Sequence, residues 1–316
     1  MLSRVADSLY WIGRYSERTE TNAHIIDTQI ERMLEQSRND CGYEKEWHTV
    51  LDICGYIEVY SARYESYYLQ QMVYYLLFDE YNYNSIDSLI KSIRNNARNT
   101  RDLIPNELWE EWNELYLSMQ VKTVDEEFTV LKTTEFLTKI RKTSLTATGI
   151  IDSLMTRDEC FQFVKIGKWI ERSEKTALIV LRLLENEDVL TREIAVTSGL
   201  QLTNSFEEYT RRFRIRTSDN VLNFLMGDTK CSRSVAYGIR KIKRTVLDIE
   251  EDSVSSPYAQ EMFEALEQLE LIVQKDASLM SVEQRKEWVK EIHTQCSNFG
   301  PVFARTYYLN APILVD

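Results

Sequence analysis

The sequence predicts an all-α protein, and three observations carry that reading. Nine glycines and four prolines in 316 residues leave few places to turn the chain, so its elements are long. A sheet protein of this size needs many tight turns, and the residues that make them are scarce. Apolar and small residues recur at steps of four and three over long stretches, which is the spacing of one helix face.

The first helix carries this seam through Val5, Leu9, Ile12, Ser16, Thr19, Ala23, Ile26, Ile30 and Met33, and is expected to end at Asn39-Asp40-Cys41-Gly42. Residues 46–78 read as a second helical region dense in tyrosine: Tyr56, Tyr60, Tyr64, Tyr67, Tyr68, Tyr74 and Tyr75. That density fits either an aromatic-lined ligand groove or helix packing with hydroxyls at the rim. A polar turn over residues 79–85 leads to a helix through Ile93, Ala97 and Arg101, and Pro105-Asn106-Glu107 opens the next. Residues 126–154 give a further amphipathic helix, expected to bend or end near Gly149. Thr156-Arg157-Asp158-Glu159 then has the form of a capping box with Thr156 as the cap. The seam that follows runs Phe163, Ile166, Ile170, Ser173, Ala177, Val180, Leu184. The final stretch, 299–316, is aromatic and broken by Pro301 and Pro312; it is expected to lie extended over the bundle or to dock a partner.

Two motifs recur in order. Ile12-Gly13-Arg14-Tyr15-Ser16-Glu17-Arg18-Thr19-Glu20 aligns with Ile166-Gly167-Lys168-Trp169-Ile170-Glu171-Arg172-Ser173-Glu174, 154 residues later. Asp79, six residues before Ser85, matches Asp228, six before Ser234, at an offset of 149. Nearly equal offsets point to one internal duplication. The architecture expected is a helical bundle of two pseudo-repeated halves packed into one unit, residues 1–154 and 155–298, with 299–316 as the tail.

Composition bounds the function. A net charge of -12 with 43% apolar residues gives a real core and argues against general nucleic-acid binding or adhesion to anionic membranes. The N-terminus lacks the apolar run of a signal peptide, and no stretch of about 18 apolar residues could span a bilayer, so the expected address is the cytoplasm. Five scattered cysteines without a C-x-x-C pair read as reduced thiols, and three distant histidines make a metal site unexpected. Neither a Walker loop nor a G-x-S-x-G elbow occurs.

The duplicated charges are the candidate site. At 100° per residue, Arg14, Glu17, Arg18 and Thr21 fall opposite the apolar seam, with Glu20 and His24 on a flank near Gly13. Lys168, Glu171, Arg172 and Glu174 repeat the arrangement. Two accounts compete: a lattice of surface pairs worth about 0.2–0.5 kcal/mol each, or a semi-buried ion-pair network with a binding role. Gly13 and Gly167 cost about 1 kcal/mol inside a helix, which marks close backbone approach. Glu17/Glu20 and Glu171/Glu174 have the form of an acid–base pair, yet the adjacent Arg18 and Arg172 favour their charged state. Arg211, Arg212, Arg214 and Arg216 form the one dense basic cluster, read either as a phosphate or carboxylate pocket or as a rim of salt bridges. Asp79 with Ser85 and Asp228 with Ser234 read as helix caps, with Arg233 beside the second.

The opening Met1 to Arg18, then Asn96-Ala97-Arg98-Asn99-Thr100-Arg101, Trp109, Met155-Thr156-Arg157-Asp158-Glu159, Glu171-Arg172, Tyr209-Thr210-Arg211-Arg212-Phe213 and Arg233-Ser234 resemble the alpha-E family of bacterial proteins over nearly the whole chain. The chain departs from that pattern at Asn95, His24, Leu178 and Cys231-Ser232. The resemblance implies a circularly permuted ATP-grasp protein as partner, a transglutaminase-like peptidase as another, and a peptide substrate. ATP and Mg would come through the partner, with no cofactor held by this chain. The function implied is a component of an ATP-grasp-associated system for peptide synthesis or modification, gripping a peptide or activated carboxylate on the Glu/Arg face. Arg98 joins the candidate residues on this ground. An autonomous peptide or amide enzyme and a non-catalytic scaffold are the alternatives.

Overall fold

The computed structural model describes residues 3–35, 42–120, 129–185, 192–251 and 257–307. These residues form fourteen α-helices and one 3-10 turn, with no strand among them. In order they are α1 (Ser3–Glu35), α2 (Gly42–Cys54), α3 (Ile57–Arg63), α4 (Leu69–Leu77), α5 (Ile86–Asn99), α6 (Asn106–Gln120) and α7 (Val130–Leu154). Then come α8 (Glu159–Glu185), α9 (Arg192–Leu202), α10 (Phe206–Arg212), α11 (Ser218–Gly227), α12 (Val235–Ile249), α13 (Pro257–Val273) and α14 (Val282–Tyr307), with the 3-10 turn Ala277–Leu279 before the last. The all-α expectation holds. No described helix is long and apolar enough to cross a membrane.

The chain divides into two compact units, Tyr15–Met155 and a second made of Met1–Arg14 with Thr156–Asp316. The first fourteen residues therefore group with the later half, not with the residues that follow them. In the Tyr15–Met155 unit, α5 packs on α6, α6 on α7, and α2 on α3 and α4. Its core holds Ile26, Ile30, Trp47, Tyr60, Tyr75, Ile93, Trp112 and Ile140. In the other unit α8 packs on α12 and α14, and α13 bridges those two. Here Leu9, Ile12, Phe163, Ile166, Ile170, Phe299 and Phe303 are buried.

Several local expectations need correction. The tyrosine region is three helices, because the chain breaks at Gly55-Tyr56 and again over residues 64–68. There the Tyr60 hydroxyl donates to the Ser66 carbonyl at 2.7 Å, and Tyr75 donates to Tyr56 at 2.9 Å. Helix α7 continues past Gly149 to Leu154, and an added methyl at Gly149 would meet nothing within 4 Å. Asp158, not Thr156, caps α8 and accepts from the Phe161 N–H at 3.3 Å. A carboxylate there also meets the positive end of the helix dipole. Residues 299–307 are the last turns of α14, not an extended tail. The Asn39-Asp40-Cys41 stop and residues 308–316 lie outside the described residues.

A charge-and-turn framework around the two Glu-Arg motifs

Helices α1 and α8 meet at their glycines. A Cβ built on Gly13 would overlap the Val164 carbonyl oxygen and lie 2.9 Å from the Lys168 nitrogen. One built on Gly167 would overlap the Tyr10 carbonyl and lie 3.1 Å from the Arg14 nitrogen. The contact is reciprocal, each glycine facing the carbonyl three residues before the other. Only a residue without a side chain allows backbones this close.

That approach delivers Arg14 to α8. Its Nε lies 2.6 Å from Glu171 Oε2 and its Nη2 2.7 Å from Glu174 Oε2, while Nη1 donates to the Tyr10 hydroxyl at 3.2 Å. Ser297 of α14 donates to the other Glu174 oxygen at 3.1 Å. Arg14 is 6% exposed and Glu171 3%. Burial alone would lower the affinity of Arg14 for its proton, but Glu171, Tyr10 and Glu174 outweigh it and hold it above its ordinary value. Burial raises the Tyr10 phenol as well. The arrangement is a cation clamped by two carboxylates.

The second repeated motif lands on the first. In the Tyr15–Met155 unit, Arg18 donates to Asn84 Oδ1 at 2.9 Å and Asn22 donates to the Asn84 carbonyl at 3.3 Å. The next residue, Ser85, caps α5 by accepting from Ser88 N–H. In the other unit Arg172 donates to the Ser232 carbonyl at 3.4 Å and Thr176 to the Arg233 carbonyl at 2.9 Å. Ser234 then caps α12. The aspartates shape the turns and leave the helix capping to serine. Asp79 Oδ1 accepts from Tyr81 N–H at 2.8 Å, and Asp228 Oδ1 accepts from Lys230 and Cys231 N–H at 2.8 and 2.7 Å. Tyr64 donates to Asp79 at 2.6 Å, and Arg212 takes the same place on Asp228 with two nitrogens. Burial pushes the Asp228 carboxyl up, but Arg212 and the two N–H donors outweigh it and hold it below its ordinary value.

The candidate residues therefore separate into groups. Arg14, Glu171 and Glu174 form one clamp. Arg172, Arg212 and Arg233 surround the turn over 228–234, and Arg18 holds the turn over 79–85. Glu17 and Glu20 are buried, Lys168 is half-buried with its ammonium 5.6 Å from the Trp169 ring, and Arg98 stands exposed in the last turn of α5. Arg211 is exposed. Sequence reasoning missed Asn22, Asn84, Tyr10, Thr176 and Ser297. The equal Asp-to-Ser spacing flagged the turns, but nothing local flags Ser297, which is 123 residues from its partner.

Burial disfavours the thiolate at each perturbed cysteine. Burial pushes Cys231 up to about 11, and burial also raises Cys160 and Cys296. Among the described residues no group of three or more His, Cys, Asp or Glu side chains is placed to hold a metal ion. No curated protein and no solved structure matches the chain. The family model of Alpha-E, described as a predicted alpha-helical domain with a conserved ER motif, matches residues 1–308. Glu-Arg pairs stand here at 17–18, 31–32 and 171–172, two of them in the framework above. With a match over almost its entire length, the chain belongs to the Alpha-E family.

Proposed function

We propose that this chain is a binding subunit of an ATP-grasp-associated system for peptide synthesis or modification, and that the bond-forming step belongs to its partner. The clamp around Arg14 supports this reading: its charges are engaged with one another, as positioning groups are. Arg18 and Arg172 each donate one hydrogen bond to a turn. The partner would be a circularly permuted ATP-grasp protein carrying ATP and Mg, with a transglutaminase-like peptidase as a further associate. The peptide or activated carboxylate would meet the guanidinium groups of Arg172, Arg211 and Arg233, with Arg212 holding Asp228 beside them, since arginine grips carboxylate and phosphate in a fork. Arg14, Glu17, Glu20, Lys168, Glu171 and Glu174 would fix the helices that carry this surface. The matching helix order and the paired Arg-to-turn bonds support the reading of one helical unit present twice.

The test is ATP-dependent ADP release against candidate peptides, measured for this chain alone, the ATP-grasp protein alone, and both. Turnover is expected only with both, falling in Arg172→Ala while the thermal melt is kept. Turnover by the isolated chain would favour an autonomous peptide or amide enzyme. No association and no effect on the partner's turnover would refute the proposal.

A further inference from the structure

From the last turn of α10 to the start of α11 the eight residues Thr210, Arg211, Arg212, Phe213, Arg214, Ile215, Arg216 and Thr217 are all exposed. They include four arginines, and Ile215 at 67% exposure and Phe213 at 38%. Arg212 is neutralised by Glu208 and Asp228. Arg211 and Arg214 have no carboxylate within ion-pair distance among the described residues, and Arg216 rests over the Phe206 ring at 5.2 Å. Among the described residues, three guanidinium groups on a chain of net charge -12 thus stand without a counter-charge, next to exposed apolar side chains.

The corner that carries them is held in shape. Tyr209 is fully buried; its carbonyl accepts from Phe213 N–H at 2.8 Å and its hydroxyl donates to the Ile215 carbonyl at 2.8 Å. Its ring stacks on Phe213 and meets Phe224 edge-on, at 4.9 and 5.2 Å. The same corner occurs between α3 and α4. There the Tyr60 hydroxyl donates to Ser66, and its ring stacks on Tyr64 and meets Tyr75 edge-on. That corner reads Arg63-Tyr64-Glu65-Ser66-Tyr67, one positive and one negative charge. One backbone shape is thus made with and without the arginine run. The corner does not need the arginines, so their presence calls for something outside the chain.

We infer that residues 210–217 are a docking surface for an acidic polypeptide segment in which carboxylates alternate with apolar side chains. Carboxylates meet guanidinium groups in bidentate pairs, and Ile215 with Phe213 gives the apolar residues a surface to cover. A rigid corner adds little ordering cost on binding. Nucleic acid and anionic bilayers present extended negative surfaces that the acidic remainder of the chain repels, whereas a short segment meets the strip alone. The inference rests on the binding-subunit reading above and supplies the chemistry of what is bound.

The experiment is fluorescence anisotropy of a short labelled peptide of alternating Glu and Leu, titrated with the full chain without ATP or partner. Binding is expected, weakening as salt rises, and at least about tenfold weaker for the matching Gln/Leu peptide. Arg211→Glu with Arg214→Glu should reduce affinity by at least about tenfold with the melting curve unchanged, since neither side chain holds the fold. Ile215→Ser should weaken it severalfold, which a purely ionic attraction would not show. An affinity indifferent to the arginine variants overturns the inference. So does tighter binding of a thymidine oligonucleotide or of phosphatidylserine vesicles. Because the readout omits ATP and the ATP-grasp protein, lost peptide binding with intact ADP-release coupling sinks this inference alone, and the reverse result sinks only the ligase reading.

Discussion

A methyl group placed on Gly13 or Gly167 has no free volume, because the facing atoms are backbone carbonyls and cannot swing aside. Gly149 sits in open space on a helix of the same protein. The same substitution should therefore have opposite signs. Gly13→Ala and Gly167→Ala should each destabilise by about 1–3 kcal/mol as the helices are forced apart. Gly149→Ala should stabilise by about 0.5–1 kcal/mol through helix propensity. Urea denaturation of the three variants measures this, and a destabilised Gly149→Ala or a neutral Gly167→Ala would contradict the packing described. Arg14 makes a second residue-level case. Arg14→Ala leaves Glu171 and Glu174 facing each other without their cation, at a cost of about 3–5 kcal/mol. Arg14→Ala combined with Glu171→Gln should recover part of that loss, and strict additivity of the two changes would argue against coupling.

Within single elements, local rules and tertiary packing decide different things. The four-three seams and the helix starts at Ser85 and Ser234 were legible because they depend on neighbours in sequence. Pro301 misled because its local penalty, about 3 kcal/mol for a lost bond to the Ser297 carbonyl and a ring clash, is offset by burial. Phe299 and Phe303 are buried, Phe303 stacks on Tyr10 at 5.1 Å, and each such ring contributes about 1.5–3 kcal/mol. No window of sequence around residue 301 contains Tyr10. Helix α14 also carries His293, which faces Glu174, Lys175, Arg182 and Glu185 of α8. Burial lowers its proton affinity, and the carboxylates only partly restore it, so its folded value lies below the ordinary 6.5. The unfolded chain then binds the proton more readily. The stability owed to neutral His293 is complete above about pH 6.5 and is lost as pH falls through the lower folded value. Melting temperature should drop between about pH 7 and pH 5, and His293→Gln should flatten that drop. An unchanged slope in the variant would assign the pH dependence elsewhere.

At the scale of the molecule, the least legible fact is which unit owns the first fourteen residues. Sequence alignment equates Arg14 with Lys168, but it does not say that Arg14 finds its partner 160 residues away at Glu174. Contacts of that separation leave no local pattern. The consequence is testable by cutting the chain. A fragment of residues 156–316 keeps α8 to α14 and loses Leu9, Tyr10, Ile12 and Arg14 from its own core. The three apolar side chains take away about 1.5–3 kcal/mol each, and the unpaired carboxylates about 3–5 more. Domain stabilities are about 5–15 kcal/mol, so the fragment falls to the edge of folding. A fragment of residues 15–155 loses nothing from its own unit and should keep a cooperative transition. Calorimetry should show a sharp melt for 15–155 and a broad or absent one for 156–316. A peptide of residues 1–14 added to 156–316 should sharpen its melt in proportion to concentration, as any ligand of the native state does. The Gly13→Arg version of that peptide should fail, because it cannot approach the Val164 carbonyl. If 156–316 alone melts as sharply as 15–155, the N-terminal residues are an ornament of that unit and not part of its core.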